Sequence, residues 1–148
     1  MDEKIFSENT LEEKKLIELA HEARKHAYTP YSGFQVGAAL LTKKGKVYLG
    51  CNIENASYTP TNCAERTAFF KAVSEGEREF AAIAIVGGAS DTEAKETCAP
   101  CGVCRQIMRE FCDPQEFRIL LEDGKGGVLN FKLEELLPLG FGPENLAR

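Results

Sequence analysis

Three cysteines stand at spacings that suit a metal-dependent hydrolytic site. Cys101 and Cys104 form a C-x-x-C pair at the start of a predicted helix, and Cys63 opens another predicted helix earlier in the chain. The start of a helix presents free N–H groups and a partial positive charge, which favour thiolate over thiol. Three thiolates would bind Zn²⁺ and leave its fourth tetrahedral position open, which is the pattern of catalytic rather than structural zinc.

A glutamate and a proline sharpen this interpretation. Glu65 follows Cys63 by two residues, and Pro100 directly precedes Cys101. A carboxylate beside a metal-bound water is a candidate proton shuttle. The pair C-x-E and P-C-x-x-C, each at the start of a helix, is the arrangement that zinc deaminases use, with a glutamate that is not a ligand. The sequence therefore predicts Cys63, Cys101 and Cys104 as zinc ligands and Glu65 as the catalytic acid and base.

Other chemistries fit these cysteines less well. The run C-x₂-C-x₂-C that begins at Cys98 matches the start of an iron–sulfur pattern, but the fourth position is Met108 and no proline follows it. A redox C-x-x-C usually stands alone and leaves the C-x-E motif unexplained. Cys98 is the one thiol that could replace a proposed ligand. The cysteines interpreted as free thiols are Cys51, Cys98 and Cys112.

The composition of the 148 residues limits the classes of protein to which the chain can belong. Hydrophobic residues make up 43% and charged residues 28%, so we expect one globular domain over residues 1–148. The net charge of −5, without a basic stripe, argues against a nucleic-acid partner. Because neither a secretory signal nor a membrane span is predicted, we expect a cytoplasmic protein, in which clustered cysteines bind metal or act in catalysis.

Five strands and four helices are predicted to position these residues. The first helix begins with a capping box at Thr10–Glu13 and ends before Pro30. The other predicted helices cover residues 63–74, 100–111 and 134–137, and the predicted strands cover 34–41, 47–53, 80–86, 116–122 and 128–133. Strands 1–2 and 4–5 must pair antiparallel, since their links are too short for a parallel crossover. This order predicts an α/β fold, a three-layer α/β/α sandwich with a mixed five-stranded sheet.

These motifs resemble those of the short, homotetrameric class of zinc-dependent cytidine deaminases. The resemblance runs from about residue 16 to residue 146. Its most specific segments are PYSGFQVGAA (30–39), GCNIENASY (50–58), NCAERT (62–67), PCGVCRQ (100–106) and EELLP (134–138). It implies a cytidine deaminase-like fold and hydrolysis of cytidine and deoxycytidine to uridine and deoxyuridine plus ammonia, in pyrimidine salvage. It also implies a homotetramer with one zinc ion per subunit, a small nucleoside as substrate, and no membrane or nucleic-acid partner.

The resemblance also implies a mechanism. Hydroxide bound to zinc attacks C4 of cytosine, while Glu65 protonates N3 and then delivers a proton to the leaving amine. Three thiolates leave the zinc site with a net charge of −1, which opposes ionisation of the water. Arg66 matches an arginine that contacts a ligand sulfur, and we predict that it withdraws charge from the thiolates together with the two helix starts.

Further roles follow by position in the resembled family. Phe34 matches an aromatic residue that packs on the pyrimidine, although a strand phenylalanine can also belong to the core. Asn52 and Glu54 match residues that bind the ribose, and the backbone at Ala64 would contact the pyrimidine. Phe141 matches an aromatic residue that the tail supplies to a neighbouring subunit's site. Its alternative is a hydrophobic anchor for the C-terminal segment.

Three rival functions are weighed against this one. Deamination of an aminoglycosylated cytosine antibiotic is disfavoured by Phe34, Asn52 and Glu54, which suit a plain nucleoside. Editing of cytosine in a polynucleotide is disfavoured by the net charge of −5. A non-catalytic zinc-stabilised binding module would need a fourth ligand near the site. Cys98 is the only close candidate, and its spacing from Cys101 is awkward for ligating the same ion.

Overall fold

A computed structural model describes residues 3–146, with side chains from residue 12 onward. The helices are Glu3–Arg24 (α1), Ala64–Ser74 (α2), Gly102–Phe111 (α3) and Leu133–Leu136 (α4), followed by a 3-10 turn at Pro143–Asn145. The strands are Phe34–Thr42 (β1), Val47–Cys51 (β2), Phe80–Ala89 (β3), Arg118–Glu122 (β4) and Val128–Lys132 (β5). Across residues 3–146, none of the helices combines the length and the apolar character that crossing a membrane requires.

The strands form one sheet in the spatial order β2-β1-β3-β4-β5. Strand β1 lies between β2 and β3 and is antiparallel to both, β3 and β4 are parallel, and β5 is antiparallel to β4. The two antiparallel pairs predicted from short links, β1–β2 and β4–β5, are confirmed. The mixed five-stranded sheet is confirmed as well.

Helices cover both faces of the sheet, so its central strands are apolar on both sides. On β3, Ile83 and Ile85 face the core shared with α2 and α3, whereas Ala82 and Ala84 face α1. This division accounts for the unbroken apolar run of the strand. The small residues on one face allow α1 to lie close to the sheet. The α/β/α layering predicted from the sequence is therefore confirmed.

The closest approach of α1 occurs at Gly37 of β1. A Cβ atom at this position would overlap the carbonyl oxygen of Ala20 and the backbone of Arg24. Since glycine has no Cβ, the helix can rest directly on the strand backbone. The last turn of α1 is thereby fixed above the start of β1.

Helix α1 begins earlier than the sequence predicts. The backbone is already helical at Glu3, so Thr10 lies inside the helix rather than at its start, and the predicted capping box is wrong. Residues 3–9 contain no glycine or proline that would stop a helix. A cap is a preference of about 1 kcal/mol and does not force a start. The Thr10 side chain lies outside the described side chains.

Two strand ends also differ from the prediction. Strand β3 continues through Gly87 and Gly88, which pair with β1, and ends at Ala89 rather than at residue 86. Strand β2 ends at Cys51 rather than at residue 53, because the side chain of Asn52 then occupies the edge of β1. Helix α1 ends at Arg24, earlier than the predicted end just before Pro30. The remaining ends within the described residues differ from the predicted ones by no more than two positions.

The fit of α1 on β1 predicts a large effect for Gly37→Ala. The added methyl group must push the helix away from the strand, and overpacking of this kind costs about 2–3 kcal/mol. We expect the midpoint of thermal unfolding to fall by about 5–10 °C, measured by circular dichroism. Gly102→Ala is the control, because a Cβ at Gly102 meets no atom within 4 Å. Equal midpoints for the two variants would contradict the proposed contact.

Candidate active site

The first turns of α2 and α3 meet at the predicted metal site. Cys63 is the N-cap residue of α2 and Cys101 is the N-cap residue of α3. Their sulfur atoms lie 3.9 Å apart, although 38 residues separate them in the chain. Because both helices begin here, their positive ends converge on the same group of sulfur atoms.

The third sulfur completes a triangle. Cys104, one turn into α3, has its sulfur 3.4 Å from that of Cys101, and all three sulfur atoms lie within 4.8 Å of one another. Zinc–sulfur bonds of about 2.3 Å in tetrahedral geometry place sulfur atoms about 3.8 Å apart. The observed separations bracket this value, so the three cysteines fit a zinc ion. Cys104 is buried and Cys101 is exposed, so the triangle opens to solvent on one side.

Cys98 does not belong to this triangle. Within the part of the chain that the structure describes, Cys63, Cys101 and Cys104 form the one cluster whose ligand atoms could hold a metal ion. Burial raises the pKa of the Cys98 thiol to about 11, so it favours the protonated form. The structure thus offers three sulfur ligands and no fourth.

The positively charged guanidinium of Arg66 lies next to one of the three sulfur atoms. Its Nη2 donates a hydrogen bond of 3.3 Å to the sulfur of Cys63. The pKa of Cys63 is lowered to about 5, first by its hydrogen bond with Cys104 and then by the guanidinium of Arg66. The pKa of Cys104 is raised, because its thiol hydrogen-bonds the Cys63 sulfur. The predicted contact between Arg66 and a ligand sulfur is therefore present.

Glu65 lies in the first turn of α2, close to the sulfur atoms of Cys63 and Cys104. It is only 4% exposed. Burial raises the pKa of its carboxyl group, and the nearby Cys63 sulfur raises it further. The charge of Glu65 in turn contributes to the raised pKa of Cys98. A carboxyl group held beside the metal ligands and shielded from bulk water has the location that a proton shuttle needs.

Arg105 supports the second half of the site and was missed by the sequence reasoning. Its Nε donates to the carbonyl oxygen of Pro100 at 2.7 Å, and its Nη1 donates to that of Leu136 at 2.7 Å. These bonds tie the segment before Cys101 to the end of α4. The sequence shows only that Arg105 directly follows Cys104. This position does not predict which backbone carbonyl groups its side chain binds.

Phe34, at the start of β1, is 44% exposed and does not belong to either core. Phe34 lines a cavity of about 400 Å³, whose other lining residues are 87–89, 92, 93 and 95–97. A Cβ placed on Gly87 would lie 3.1 Å from the Phe34 ring and against the Cys98 sulfur. The ring therefore lies beside Cys98.

Asn52 fixes the backbone under Phe34. Its Oδ1 accepts the N–H of Val36 at 2.8 Å, and its Nδ2 donates to the carbonyl oxygen of Phe34 at 2.9 Å. Beyond the end of β2, the Asn52 side-chain amide thus makes the hydrogen bonds to β1 that a further strand residue would otherwise make. One N–H of the Asn52 amide is left over for another acceptor.

Glu54 is held by one of its two carboxylate oxygens. Its Oε1 accepts the backbone N–H groups of Tyr31 and Ser32 at 3.0 and 3.1 Å. Hydrogen bonds from Ser32, with a further one from Tyr31, keep the pKa of Glu54 below its usual range. With Tyr58 and Thr61, these residues line a second cavity of about 380 Å³. The carboxylate is therefore charged and oriented.

Ala64 and Phe141 occupy different parts of the molecule. Ala64 is fully buried as the first residue of α2, where its N–H precedes the first intrahelical bond. Phe141 lies in the C-terminal segment, with its ring 56% exposed. The segment is held on α3 by a hydrogen bond from Gln106 to the carbonyl oxygen of Phe141 and by an ion pair between Arg109 and Glu144.

A buried glutamate next to three sulfur atoms on two helix starts is the arrangement of zinc-dependent deaminases that act on nucleobases. The fold and the site thus place the chain in that class. The family model for the cytidine and deoxycytidylate deaminase zinc-binding region matches residues 11–119. The chain belongs to the cytidine deaminase family.

Individual relatives support this assignment. The cytidine deaminase of Sporosarcina psychrophila is 50% identical over 134 residues, which cover 90% of this chain and 94% of that protein. The cytidine deaminase of Halalkalibacterium halodurans is 49% identical over 136 residues, which cover 92% of this chain and 98% of that protein. The prediction of the family and the prediction of a deaminase, a hydrolase, are confirmed.

Solved structures agree with the fold. The crystal structure of cytidine deaminase from Burkholderia pseudomallei matches with a TM-score of 0.77 at 51% identity, covering 86% of this chain and 98% of that chain. Cytidine deaminase from Mycobacterium tuberculosis matches with a TM-score of 0.72 at 38% identity, covering 87% and 96%. The predicted cytidine deaminase-like sandwich is confirmed.

The hydrogen bond from Arg66 to Cys63 predicts faster loss of metal in Arg66→Gln. Removal of a group that supports a metal ligand typically lowers metal affinity about 10–100-fold. We expect a rise of that order in the rate at which the variant releases zinc to a chromogenic chelator. Arg78→Gln is the control, since Arg78 bonds backbone carbonyls at the other end of α2. Equal release rates for both variants would refute charge compensation by Arg66.

Proposed function

We propose that the chain hydrolyses cytidine and deoxycytidine to uridine and deoxyuridine plus ammonia, with one zinc ion per subunit. The observation that carries this proposal is the buried Glu65 beside the triangle of Cys63, Cys101 and Cys104. It is supported by relatives of about 50% identity that are named cytidine deaminases. Such an enzyme acts in pyrimidine salvage.

The chemistry divides between the metal and one side chain. A zinc ion held by Cys63, Cys101 and Cys104 would supply a nucleophile near neutral pH, because such an ion can lower the pKa of a bound water from about 15.7 to about 7. Glu65 takes up the proton that water loses and passes it to N3 of cytosine. The same carboxylate then takes the remaining proton from the oxygen added at C4 and delivers it to the amine as the bond from C4 to that amine breaks, so that cytidine and water give uridine and ammonia. Its burial keeps the proton within the site.

Arg66 offsets the charge of the ligands. Zinc with three thiolates carries a net charge of −1, which works against ionisation of water. The hydrogen bond from Arg66 to the Cys63 sulfur draws electron density away from the metal site. The positive ends of α2 and α3 act in the same direction. We therefore assign Arg66 the role of tuning the metal rather than that of touching the substrate.

The substrate is held by groups around this centre. Phe34 packs on the face of the pyrimidine, and the backbone of Ala64 hydrogen-bonds its edge. The remaining N–H of Asn52 and the second carboxylate oxygen of Glu54 bind the ribose. Since both side chains are already held by backbone bonds, they meet the sugar with little further loss of conformational entropy.

The assembly and setting are part of the proposal. We propose a homotetramer of single-domain subunits in which Phe141 reaches a neighbouring site. The exposed apolar side chains Leu139, Phe141 and Leu146 of the C-terminal segment support a contact with another subunit. All five strands belong to one sheet, which supports a single domain over residues 1–148. A cytoplasmic location is supported by six unpaired cysteines, three of which must stay reduced to bind metal.

The proposed function predicts that the purified protein converts cytidine to uridine. The reaction is monitored by the loss of cytosine absorbance. Glu65→Gln should lower kcat by about 10³-fold or more, because proton transfer by a positioned group contributes about 10²–10⁴-fold. Its zinc content should stay near one ion per subunit by atomic absorption, since Glu65 is not a ligand.

Glu75→Gln, an exposed glutamate at the other end of α2, is the matched control and should retain full activity. A wild-type protein that binds zinc without converting cytidine would be a zinc-stabilised binding module instead. Wild-type activity in Glu65→Gln would remove that residue from the mechanism.

The charged carboxylate of Glu54 predicts that nucleotides are poor substrates. A ribose bound at Glu54 would bring a 5′-phosphate close to this anion, and like charges at close range cost several kcal/mol. We expect kcat/KM for cytidine 5′-monophosphate to be at least about 100-fold below that for cytidine. The difference should shrink at high salt, which screens the repulsion. Comparable values for the two substrates at low salt would contradict the placement of the ribose.

A further inference from the structure

A buried arginine outside the metal site joins three separate parts of the backbone. Arg24, the last residue of α1, is only 9% exposed. Its Nε donates to the carbonyl oxygen of Gln35 at 3.0 Å, Nη1 to that of Thr92 at 2.9 Å, and Nη2 to that of Ala89 at 2.8 Å. Among the described side chains, none of the carboxylates forms an ion pair with it. The three carbonyl oxygens therefore compensate for most of its lost hydration.

The three acceptors surround the backbone of Phe34. Gln35 is the next residue along β1, Ala89 is the residue of β3 that pairs with Phe34, and Thr92 lies in the turn that follows. The guanidinium thus bridges the start of β1 and the end of β3. Phe34 from the first segment and residues 87–89 from the second line the 400 Å³ cavity. Strand pairing already joins these two segments, and the guanidinium adds three hydrogen bonds that also reach Thr92, beyond the end of the paired strands.

We propose that Arg24 is a positioning residue for the pyrimidine site. It holds the start of β1 and the segment after β3, so that the Phe34 ring stays beside Cys98. Asn52 secures the other edge of the same backbone, through the Phe34 carbonyl and the Val36 N–H. The inference rests on the proposed function in one respect, namely that Phe34 packs on the base.

Two glycines make room for this arginine. The absence of a Cβ at Gly37 lets the last turn of α1 rest on β1, which brings Arg24 within reach of the sheet. A Cβ at Gly88 would lie 3.3 Å from its Nη2. A lysine could not replace it, because a single ammonium group cannot span acceptors that a planar guanidinium reaches with separate nitrogens. The local sequence is thus adapted to arginine at residue 24.

The test compares Arg24→Lys and Arg24→Gln with Lys25→Gln, which alters an exposed neighbour paired only with Glu22. We expect KM for cytidine to rise about 10-fold in both Arg24 variants, while kcat changes less than about threefold. Such a split marks the loss of substrate binding rather than of chemistry. Zinc content should be unchanged, because Arg24 does not contact the cysteines. Lys25→Gln should match the wild type.

Two further measurements separate positioning from general stability. Hydrogen–deuterium exchange should quicken in peptides covering residues 33–36 and 89–97, but not in those covering the starts of α2 and α3. In a Phe34→Ala background, Arg24→Lys should change KM less than about twofold, because the residue that it positions is gone.

Several results would overturn the inference. The first is an unchanged KM for cytidine in folded Arg24→Lys, and the second is a loss of kcat that matches a loss of zinc content. The third is a change in KM that simply adds to that of Phe34→Ala, and the fourth is failure of both Arg24 variants to fold. Each would assign Arg24 to another role or to overall stability. If the wild type did not convert cytidine, the proposed function would fail. The exchange measurement would still decide whether Arg24 holds the two segments.

Discussion

Three sulfur atoms within 4.8 Å of one another repel once they are thiolates, so the protein around them must supply positive charge. Much of the architecture meets this requirement. The sheet brings the starts of two helices together, and each contributes its positive end. Arg66 adds a full charge at Cys63, and a metal ion bound by the three cysteines would provide the largest share. Glu65 is a buried acid in the first turn of α2, where burial and the neighbouring Cys63 sulfur both raise its pKa.

The two faces of the sheet pack against their helices at different distances. The face toward α2 and α3 is filled by large side chains such as Ile83 and Ile85, which set the distance of the metal-bearing helices from the sheet. The face toward α1 carries alanine and glycine where the helix comes closest, so at Gly37 α1 lies against the strand backbone. A helix in such close contact can reach across the strands, and Arg24 does so. Tight packing on one face thus supports geometry at the substrate end of the sheet.

The sequence was informative wherever chemistry depends on local spacing. The proposed ligands and Glu65 follow from short motifs at helix starts, and the antiparallel pairs follow from the length of their links. Arg24 and Arg105 were not predicted as parts of the site, because their partners are backbone carbonyls up to 68 residues away. Every residue has a backbone carbonyl group, so the sequence does not indicate which of them an arginine will bind. The extension of β3 through Gly87 and Gly88 was missed for a related reason, since pairing with β1 outweighs the low strand propensity of glycine.

The separation of the ligands along the chain has a thermodynamic consequence. A metal held by Cys63 and Cys101 cross-links positions 38 residues apart and closes a loop that contains α2 and β3. Because the unfolded chain lacks the preformed site, the binding free energy of the metal adds to the free energy of folding. The supply of metal then controls how much folded protein persists. A chelator would act as a denaturant whose strength depends on its affinity for the ion.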